Sequence, residues 1–247
     1  MHFGALGDIH ADFESVRRIM RRHAEIRFWL CVGDVGDDAG VYEDPPAPLY
    51  WIKGNNEDFD VVSELSASSF SALAEPHPRS LSLAGPASPD SAPPARSGRR
   101  RWPNLVYIPN GVEVEIDDLR VAGVGGTHAP TWYDKKASEL IKKGQDDKRR
   151  HFVRQEVEAV KSMRGLDILL THEAPRPFRA PAGHDAGKTP INEMIASAKP
   201  RLHLFGHHHK FVEMTVSGVR SVCLDLVSRS YLLIDRETLG YERRETV

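Results

Sequence analysis

Short apolar runs alternate along the chain with segments whose apolar residues recur every three or four positions. The first two runs cover residues 3–6 and 29–32, and residues 12–27 between them have the helical period. This period is typical of an amphipathic helix, and Asp12 can cap its amino end. The start of the chain is therefore predicted to form a strand, a helix and a second strand.

The same alternation continues to the carboxyl end. Further runs predicted to be strands cover 49–53, 105–108, 112–116, 119–124, 166–170, 201–205, 211–216, 219–224 and 231–234. Further helices are predicted over 137–143, 148–163 and 191–198. Strand–helix–strand units mixed with hairpin-like strand pairs are typical of layered α/β proteins. We therefore predict an α/β fold in which a layered β-sandwich is flanked by helices.

Residues 66–101 differ in composition from the rest of the chain. Serine, alanine, proline and glycine fill 24 of these 36 positions, and the other apolar residues have no period that would bury a face. We expect a single domain over residues 1–247, with a disordered insertion at 66–101 whose deletion leaves the fold intact. Residues 99–101 are all arginine but lack the interleaved aromatic residues of single-strand binders. A nucleic-acid partner is therefore an unsupported alternative.

Overall composition excludes some classes of protein. The chain has 247 residues, of which 40% are hydrophobic, and a formal net charge of −2. No apolar run reaches the roughly 20 residues that a membrane-spanning helix needs, so no membrane partner is expected. The first residues lack the charge order of a signal peptide, which favours a cytoplasmic protein. Cys31 and Cys223 lie in apolar runs, so we expect buried thiols rather than a disulfide.

Five of the predicted strands are followed directly by polar side chains. These residues are Asp8 and His10, Asp34, Asn55, His172, and His207 with His209. Each motif alone is ordinary loop sequence. However, ligands of α/β proteins bind at the carboxyl ends of the strands, and nitrogen and oxygen donors together suit divalent transition metals. Five such motifs in succession therefore predict a metal centre.

The order of these motifs is similar to that of a known family. They are Asp8-Ile9-His10, Gly33-Asp34, Gly54-Asn55-Asn56-Glu57, His172 and Gly206-His207-His208-His209. In this combination the sequence resembles the calcineurin-like metallophosphoesterase superfamily over nearly its whole length, apart from 66–101. The resemblance implies a β-sandwich flanked by helices. It also implies two divalent metal ions as cofactors, chosen from Mn, Fe, Zn, Co and Ni, with Mn favoured.

The resemblance further implies a role for each motif residue. The ligands of one metal would be Asp8, His10 and His209. The ligands of the second would be Asn55, His172 and His207, with Asp34 bridging the pair as the central catalytic ligand. Two such cations generate hydroxide near neutral pH and neutralise charge on the phosphoryl group. Hydrolysis would then need no covalent intermediate.

Asn56 departs from the family pattern, because most members have a histidine there that helps to protonate the leaving group. Asparagine donates hydrogen bonds but is neither an acid nor a base near pH 7, so poor leaving groups should react more slowly. His128, after the predicted strand 119–124, is the leading candidate for a replacement catalytic group, and a loop histidine without a role is the alternative. Glu57 and Glu173 each follow a ligand and are expected to support the site from outside or to lie at the surface.

A weaker resemblance, over residues 119–175, is to the RNA lariat debranching enzyme. A glycine-rich loop after a strand and the ending Thr171-His172-Glu173-Ala174-Pro175 are its main features. That enzyme has cysteine in place of Asp8 and keeps the histidine that is here Asn56. We therefore expect a distant relative that acts on phosphodiesters, with a 2′–5′ linkage as one option.

The sequence predicts a metal-dependent phosphoric ester hydrolase, specifically a phosphodiesterase acting on small or nucleotide-like phosphodiesters. One alternative is a phosphomonoesterase similar to protein Ser/Thr phosphatases. The other is a module that binds metal without catalysis, and the survival of all seven ligand positions argues against it. The sequence indicates no oligomeric state.

Overall fold

The computed structural model describes residues 1–37, 39–73, 101–143, 146–179 and 183–247, with the backbone alone described for 67–73. Most of the insertion predicted at 66–101 lies outside the described residues. Its beginning does not, because a helix runs from Phe59 to Leu73. The first part of the predicted insertion, 66–73, is therefore helical, since serine and alanine are compatible with a helix.

The described residues form α-helices and β-strands in alternation, as the sequence pattern predicts. The helices are α1 (Phe13–Arg22), α2 (Phe59–Leu73), α3 (Pro130–Tyr133), α4 (Arg154–Ser162) and α5 (Thr189–Ala198). The strands are β1 (His2–Leu6), β2 (Trp29–Cys31), β3 (Leu49–Trp51), β4 (Leu105–Tyr107), β5 (Glu113–Ile116), β6 (Leu119–Val124), β7 (Lys142–Lys143), β8 (Asp146–Asp147), β9 (Ile168–Thr171), β10 (Leu202–Phe205), β11 (Val212–Val216), β12 (Val219–Cys223), β13 (Ser230–Asp235) and β14 (Tyr241–Glu245). Short 3₁₀ turns cover Ala137–Glu139 and Lys148–Arg150.

Two six-stranded mixed sheets make up the body of the protein. The first has the order β14-β13-β1-β2-β3-β4, and the second has the order β11-β12-β10-β9-β6-β5. Within the first sheet β1 to β4 are parallel, and within the second β6, β9, β10 and β12 are parallel. Parallel strands end at the same edge of a sheet, so each sheet presents several strand ends together. The predicted layered α/β fold is confirmed.

Apolar side chains fill three layers. Residues such as Leu30 and Leu170 point from the two sheets into the space between them. The outer face of the first sheet packs against α1 and α2, and the outer face of the second packs against α4 and α5. Helix α1 forms where predicted because Asp12 accepts a hydrogen bond from Ser15 N at 3.1 Å and Phe13 begins its buried face. Burial of these faces is the main driving force for this arrangement.

Two predicted helices are wrong in part. The stretch 137–143 is a single 3₁₀ turn followed by β7, and the stretch 148–163 becomes α-helical only from Arg154. Residues 148–150 are all basic, and 137–143 has only Leu140 and Ile141 as large apolar residues, of which Ile141 is exposed. Neither stretch offers a continuous apolar face to bury, and tertiary packing supplies most of the stability of a short helix. The sequence pattern also missed α2, α3 and the edge strand β14, whose sequence YERRE has little apolar character.

Two further expectations concern composition. Cys31 and Cys223 are free and buried, as their apolar surroundings predict. Neither belongs to a cysteine pair. Of the helices that the structure describes, none is both long enough and apolar enough to cross a membrane.

Candidate metal centre

Five parallel strands bring the predicted ligands to one edge of the sandwich. Asp8 and His10 follow β1, Asp34 follows β2, Asn55 follows β3, His172 follows β9, and His207 and His209 follow β10. The first three strands belong to one sheet and the last two to the other. The site therefore lies where the carboxyl ends of the two sheets meet, as expected for a ligand site of an α/β protein.

The first cluster of candidate ligands is open to solvent on one side. Asp8, His10 and His209 have ligand atoms that all lie within 4.8 Å of one another. His209 Nε2 is 3.1 Å from both Asp8 Oδ2 and His10 Nε2, and His10 Nε2 is 4.0 Å from Asp8 Oδ2. The Asp8 carboxylate is buried, whereas the His10 and His209 side chains are 31% and 42% exposed. The histidine side of this cluster is therefore open to solvent.

The second cluster is more deeply buried. Asp34, His172 and His207 also have ligand atoms within 4.8 Å of one another. His172 Nε2 is 3.6 Å from Asp34 Oδ2 and 3.0 Å from Asn55 Oδ1. The His172 ring has no exposed surface and lies 4.9 Å, between ring centroids, from His207. The structure thus brings the Asn55 amide oxygen to the same place as these three residues.

The carboxylate of Asp34 lies between the two clusters. Its Oδ2 atom is 3.6 Å from His172 Nε2 in the second cluster and 3.7 Å from His10 Nε2 in the first. A single carboxylate oxygen within reach of both clusters is the geometry that a bridging ligand needs. In a site with two metals, the cations lie about 3.5–4 Å apart.

The loops that hold these residues have an uncommon backbone. The φ angles of His10, Asp34, His207 and His209 are 47°, 48°, 70° and 49°. Left-handed conformations cost free energy in residues with a Cβ atom and concentrate at functional sites. Gly54 allows close approach, because a Cβ atom there would be 1.8 Å from Asp34 Oδ1. The motif glycine before Asn55 is therefore explained by steric contact with the central carboxylate.

The donor atoms fit a cation. His172 Nδ1 is 2.9 Å from the Val32 carbonyl oxygen, so this nitrogen carries a proton, and in the neutral ring Nε2 presents a lone pair. That lone pair faces two further acceptor oxygens, from Asn55 and Asp34. Three acceptors that converge in a buried site need a positive charge between them. Nitrogen and oxygen donors of this kind suit divalent transition metals.

The electrostatics of the site also favour positive charge. Burial alone lowers the pKa of His172, but the carboxylates of Asp34 and Asp8 raise it more, so the pKa lies above its ordinary value. By contrast, burial and the nearby His172 lower the pKa of His207 to about 4. His207 is consequently a neutral ring near pH 7, the form in which histidine binds metals.

Asn56 contacts the central carboxylate. Its backbone amide donates to Asp34 Oδ1 at 2.8 Å, and its side-chain Nδ2 donates to Asp34 Oδ2 at 2.9 Å. These bonds help to lower the pKa of Asp34 despite its burial, together with the nearby His172. Asn56 therefore holds Asp34 ionised and correctly oriented.

Glu57 lies beneath the site and is buried, with 3% of its surface exposed. Its carboxylate accepts hydrogen bonds from Val35 N at 2.9 Å, Gly36 N at 3.0 Å and the Tyr42 hydroxyl at 2.6 Å. Burial raises the pKa of Glu57 to about 7. The amides of Val35 and Gly36 directly follow Asp34, so Glu57 connects the loop after β2 to the loop after β3. Glu57 was expected either to support the site or to lie at the surface, and the structure shows it buried in a supporting position. No sequence motif indicates the contact with Tyr42.

His128 lies at the side of the second cluster. Its backbone amide donates to Glu173 Oε2 at 2.6 Å, and its ring lies 4.9 Å from the Tyr133 ring, between centroids. Glu173 is buried, and its Oε1 atom is 3.4 Å from Lys188 Nζ. Among the contacts of the described residues, none joins the His128 ring to a candidate ligand. Lys188 was not indicated by any sequence motif.

His208, between two candidate ligands, points elsewhere. Its ring packs on Phe178 with 4.3 Å between the centroids. Burial and the neighbouring His207 lower the pKa of His208 to about 4. This position outside both clusters agrees with the variable place that His208 has in the motif.

Solved structures share the fold at low sequence identity. Protein TT1561 of Thermus thermophilus is 12% identical, with a TM-score of 0.61, and the alignment covers 100% of this chain and 99% of that one. A dimetal phosphatase from Danio rerio is also 12% identical, with a TM-score of 0.53 and coverage of 100% and 99%. GAP50, the anchor in the inner membrane complex of Plasmodium, is 9% identical, with a TM-score of 0.52 and coverage of 100% and 84%.

A comparison with curated proteins finds none that matches. The sequence model of one family does match, and it covers residues 1–211. This span includes every candidate ligand from Asp8 to His209. The description of that family is calcineurin-like phosphoesterase, in agreement with the sequence resemblance. With most of its length matched by that model and a fold shared with a dimetal phosphatase, the chain belongs to the calcineurin-like phosphoesterase family.

Proposed function

We propose that this protein is a dimetal-dependent phosphodiesterase that hydrolyses small or nucleotide-like phosphodiesters. The observation that supports the proposal best is the position of Asp34 Oδ2, 3.6 Å from His172 in one cluster and 3.7 Å from His10 in the other. Asp8, His10 and His209 would hold one cation, and Asn55, His172 and His207 the other. Asp34 would be shared by both, and Mn²⁺ is the first metal to test.

The chemistry divides between the cofactor and the protein. When bound, two divalent cations supply a hydroxide nucleophile near neutral pH and neutralise the charge that builds on the phosphoryl oxygens. The protein holds the donors rigidly: Asn56 fixes Asp34, and the carbonyl of Val32 fixes the ring of His172. Outer contacts of this kind orient ligands and typically change metal affinity or activity by about 10–100-fold.

Asn56 bears on which leaving groups the protein can displace. Its side-chain nitrogen is engaged with Asp34 and has no acidic proton to give to a leaving group. A leaving group that departs easily as an anion needs no such proton, whereas an alkyl alcohol does. Aryl esters should therefore react better than alkyl esters, so an aryl diester is the first substrate to test.

His128 is the residue that we propose to contact the leaving group. Its backbone is held by Glu173, which is in turn paired with Lys188 beside the second cluster. Burial, together with the positive charge of Lys188, lowers the pKa of His128 below its ordinary value. The neutral ring can accept one hydrogen bond and donate another, so we expect orientation of the leaving group rather than full proton transfer.

The test compares bis-p-nitrophenyl phosphate with p-nitrophenyl phosphate. The protein is stripped with chelator, reloaded with Mn²⁺, and assayed on both esters, with unreloaded protein as the metal-free control. The variant His209→Ala should lose turnover, and His2→Ala, which removes an exposed histidine at the opposite end of β1, should retain it. Metal-dependent turnover that favours the diester supports the proposal.

Other outcomes support the alternatives. Turnover that favours the monoester would support a phosphomonoesterase. Tight binding of two metals without turnover on either ester would support a module that binds metal without catalysis. Loss of activity in His2→Ala to the same extent as in His209→Ala would contradict the assigned site.

A further inference from the structure

The exposed side of the first cluster has a basic surface beside it. His209 is the most exposed ligand candidate, and Arg229 donates from Nη1 to the His209 carbonyl oxygen at 3.0 Å. The Arg229 side chain is itself 59% exposed. It lies on the loop that precedes β13, and the amide of Val227 in that loop donates to the carbonyl oxygen of Asp8 at 3.0 Å. The arginine is thus attached to the same backbone that presents two candidate ligands.

A further cation, Arg243, shares the carboxylate of Asp225 with Arg229, and another, Lys210, neighbours His209 in the chain. Arg243 on β14 is 42% exposed, and its guanidinium carbon is 4.6 Å from the centroid of the Phe211 ring. Lys210 directly follows His209, and its ammonium nitrogen is 4.3 Å from the centroid of the Phe178 ring. Stacking on aromatic rings holds such cations in place without neutralising them. We call Arg229, Arg243 and Lys210 the basic rim.

The basic rim has too few carboxylates to balance it. Asp225 is the acidic side chain that the described ion pairs place against it, 3.2 Å from Arg229 Nη1 and 3.9 Å from Arg243 Nη2. Glu245 shares the face of β14 on which Arg243 lies and is opposite Ser230, so three cations against two carboxylates leave an excess of one positive charge. This excess is local, because the chain as a whole has a formal net charge of −2. Cations clustered next to a binding site raise the local concentration of anions.

We propose that the basic rim binds a second phosphate group of the substrate, next to the phosphodiester held at the two clusters. The inference rests on the proposed function and narrows it, since the substrate would have at least two phosphates. Guanidinium groups bind phosphate through paired hydrogen bonds, and the rim has two such groups, those of Arg229 and Arg243. The second phosphate would be either on the far side of a nucleoside, as in an oligonucleotide, or joined directly, as in a nucleoside diphosphate.

The experiment measures binding, so it does not depend on turnover. Mn²⁺-loaded protein is titrated calorimetrically with thymidine 5′-phosphate, thymidine 3′,5′-bisphosphate and thymidine 5′-diphosphate. We expect one of the two compounds with a second phosphate to bind about fivefold more tightly than the monophosphate at low salt. The preference should shrink at high salt because the rim is exposed. The compound preferred shows where the second phosphate is attached.

Variants then identify the residues responsible. Arg229→Gln and Arg243→Gln should each remove most of the preference while thymidine 5′-phosphate binds as before. The matched control is Arg244→Gln, because Arg244 is the next residue of β14, points to the opposite face and pairs with Glu242 at 2.7 Å. This control should keep the full preference.

The outcomes separate this inference from the proposed function. Equal affinity for all three nucleotides, or an equal loss in Arg244→Gln, would overturn the basic rim as a phosphate site, even in an enzyme that hydrolyses diesters. A preference that Arg229→Gln and Arg243→Gln remove, in a protein without turnover, would support the rim while the proposed function fails.

Discussion

Asn56 donates hydrogen bonds to both carboxylate oxygens of Asp34, from its backbone amide at 2.8 Å and from its side-chain amide at 2.9 Å. The two residues are on loops after neighbouring parallel strands, β3 and β2. The residue that departs most clearly from the family pattern is therefore bonded to the carboxylate between the two clusters. Its function here is to orient Asp34, and this makes several consequences testable.

The variant Asn56→Ala should weaken metal binding. It keeps the backbone bond to Asp34 but removes the bond from Nδ2, so the carboxylate loses part of its support. Loss of an outer contact to a ligand typically reduces metal affinity or activity by about 10–100-fold. Titration of stripped protein with Mn²⁺ measures the change, and Asn104→Ala, outside the site, is the control. Unchanged Mn²⁺ affinity in Asn56→Ala would contradict the assigned role.

The variant Asn56→His should raise activity on an alkyl monoester such as phosphoserine relative to p-nitrophenyl phosphate, whose leaving group departs without protonation. Histidine can protonate a leaving group, which asparagine cannot. The substitution also removes the bond from Nδ2, so the assay must be done at saturating Mn²⁺. A ratio of phosphoserine to p-nitrophenyl phosphate activity that does not change would mean that another residue already acts on the leaving group. The double variant with His128→Ala would then show whether that residue is His128.

The variant Asp34→Asn should abolish diester hydrolysis and lower the number of bound metals. The amide is neutral and cannot bridge two cations with the same oxygen. We expect a loss larger than the roughly 100-fold that removal of an outer contact causes. Activity and metal content of the purified variant are measured together. Wild-type turnover with two metals bound would show that Asp34 is not the bridging ligand.

His203 should make the protein less stable in acid. It is fully buried on β10, where Nε2 is 2.9 Å from Thr171 Oγ1 and Nδ1 has no hydrogen-bond partner. Burial lowers the pKa of His203 to about 3. The unfolded chain therefore takes up a proton below pH ~6.5 while the folded chain does not, so stability falls as the pH drops from 6.5 towards 3. The slope is at most about 1.4 kcal/mol per pH unit.

The variant His203→Gln tests this, since glutamine can donate to Thr171 but does not titrate. Between pH 6.5 and 5 its free energy of unfolding should fall by about 2 kcal/mol less than that of the wild type. Denaturant unfolding of both proteins in chelator measures this difference and removes the effect of metal release. Parallel pH curves for the two proteins would show that His203 does not titrate in this way.

Replacement of residues 74–100 by a glycine–serine linker should leave the fold intact. The cut belongs after Leu73 because α2 extends to that residue, and the entropy of loop closure changes slowly with loop length. Thermal unfolding followed by circular dichroism should show a cooperative transition within a few degrees of the wild type. Deletion of all of 66–101 removes the end of α2 and is expected to lower the transition further. Loss of cooperative unfolding in the shorter deletion would contradict the prediction.

Much of this site is local in the sequence and could be predicted from it. Asp8, Asp34 and Asn55 each directly follow an apolar run, and the side of a parallel sheet on which strands end does not depend on details of packing. The need for glycine before these residues could also be predicted, and at Gly54 the structure leaves no room for a Cβ atom beside Asp34. The layered fold follows from the same alternation of strands and helices.

Other relationships depend on residues that are far apart in the chain. The hydrogen bonds of Asn56, the pairing of Glu173 with Lys188 and the position of Arg229 beside His209 are all contacts between loops. No local pattern encodes these contacts, because the side chains come within hydrogen-bonding distance of one another only after the sheets have packed. The ends of helices depend on packing in the same way, and α2 continues to Leu73 where composition indicated disorder.

The sequence by itself determined the kinds of candidate ligand, their order and their place at the ends of strands, because these follow from short-range pattern and the geometry of parallel sheets. The tertiary structure alone decided that Asn56 supports Asp34 and that a basic rim lies beside His209. The physical reason is that hydrogen bonds and charge clusters form between surfaces that only folding brings together.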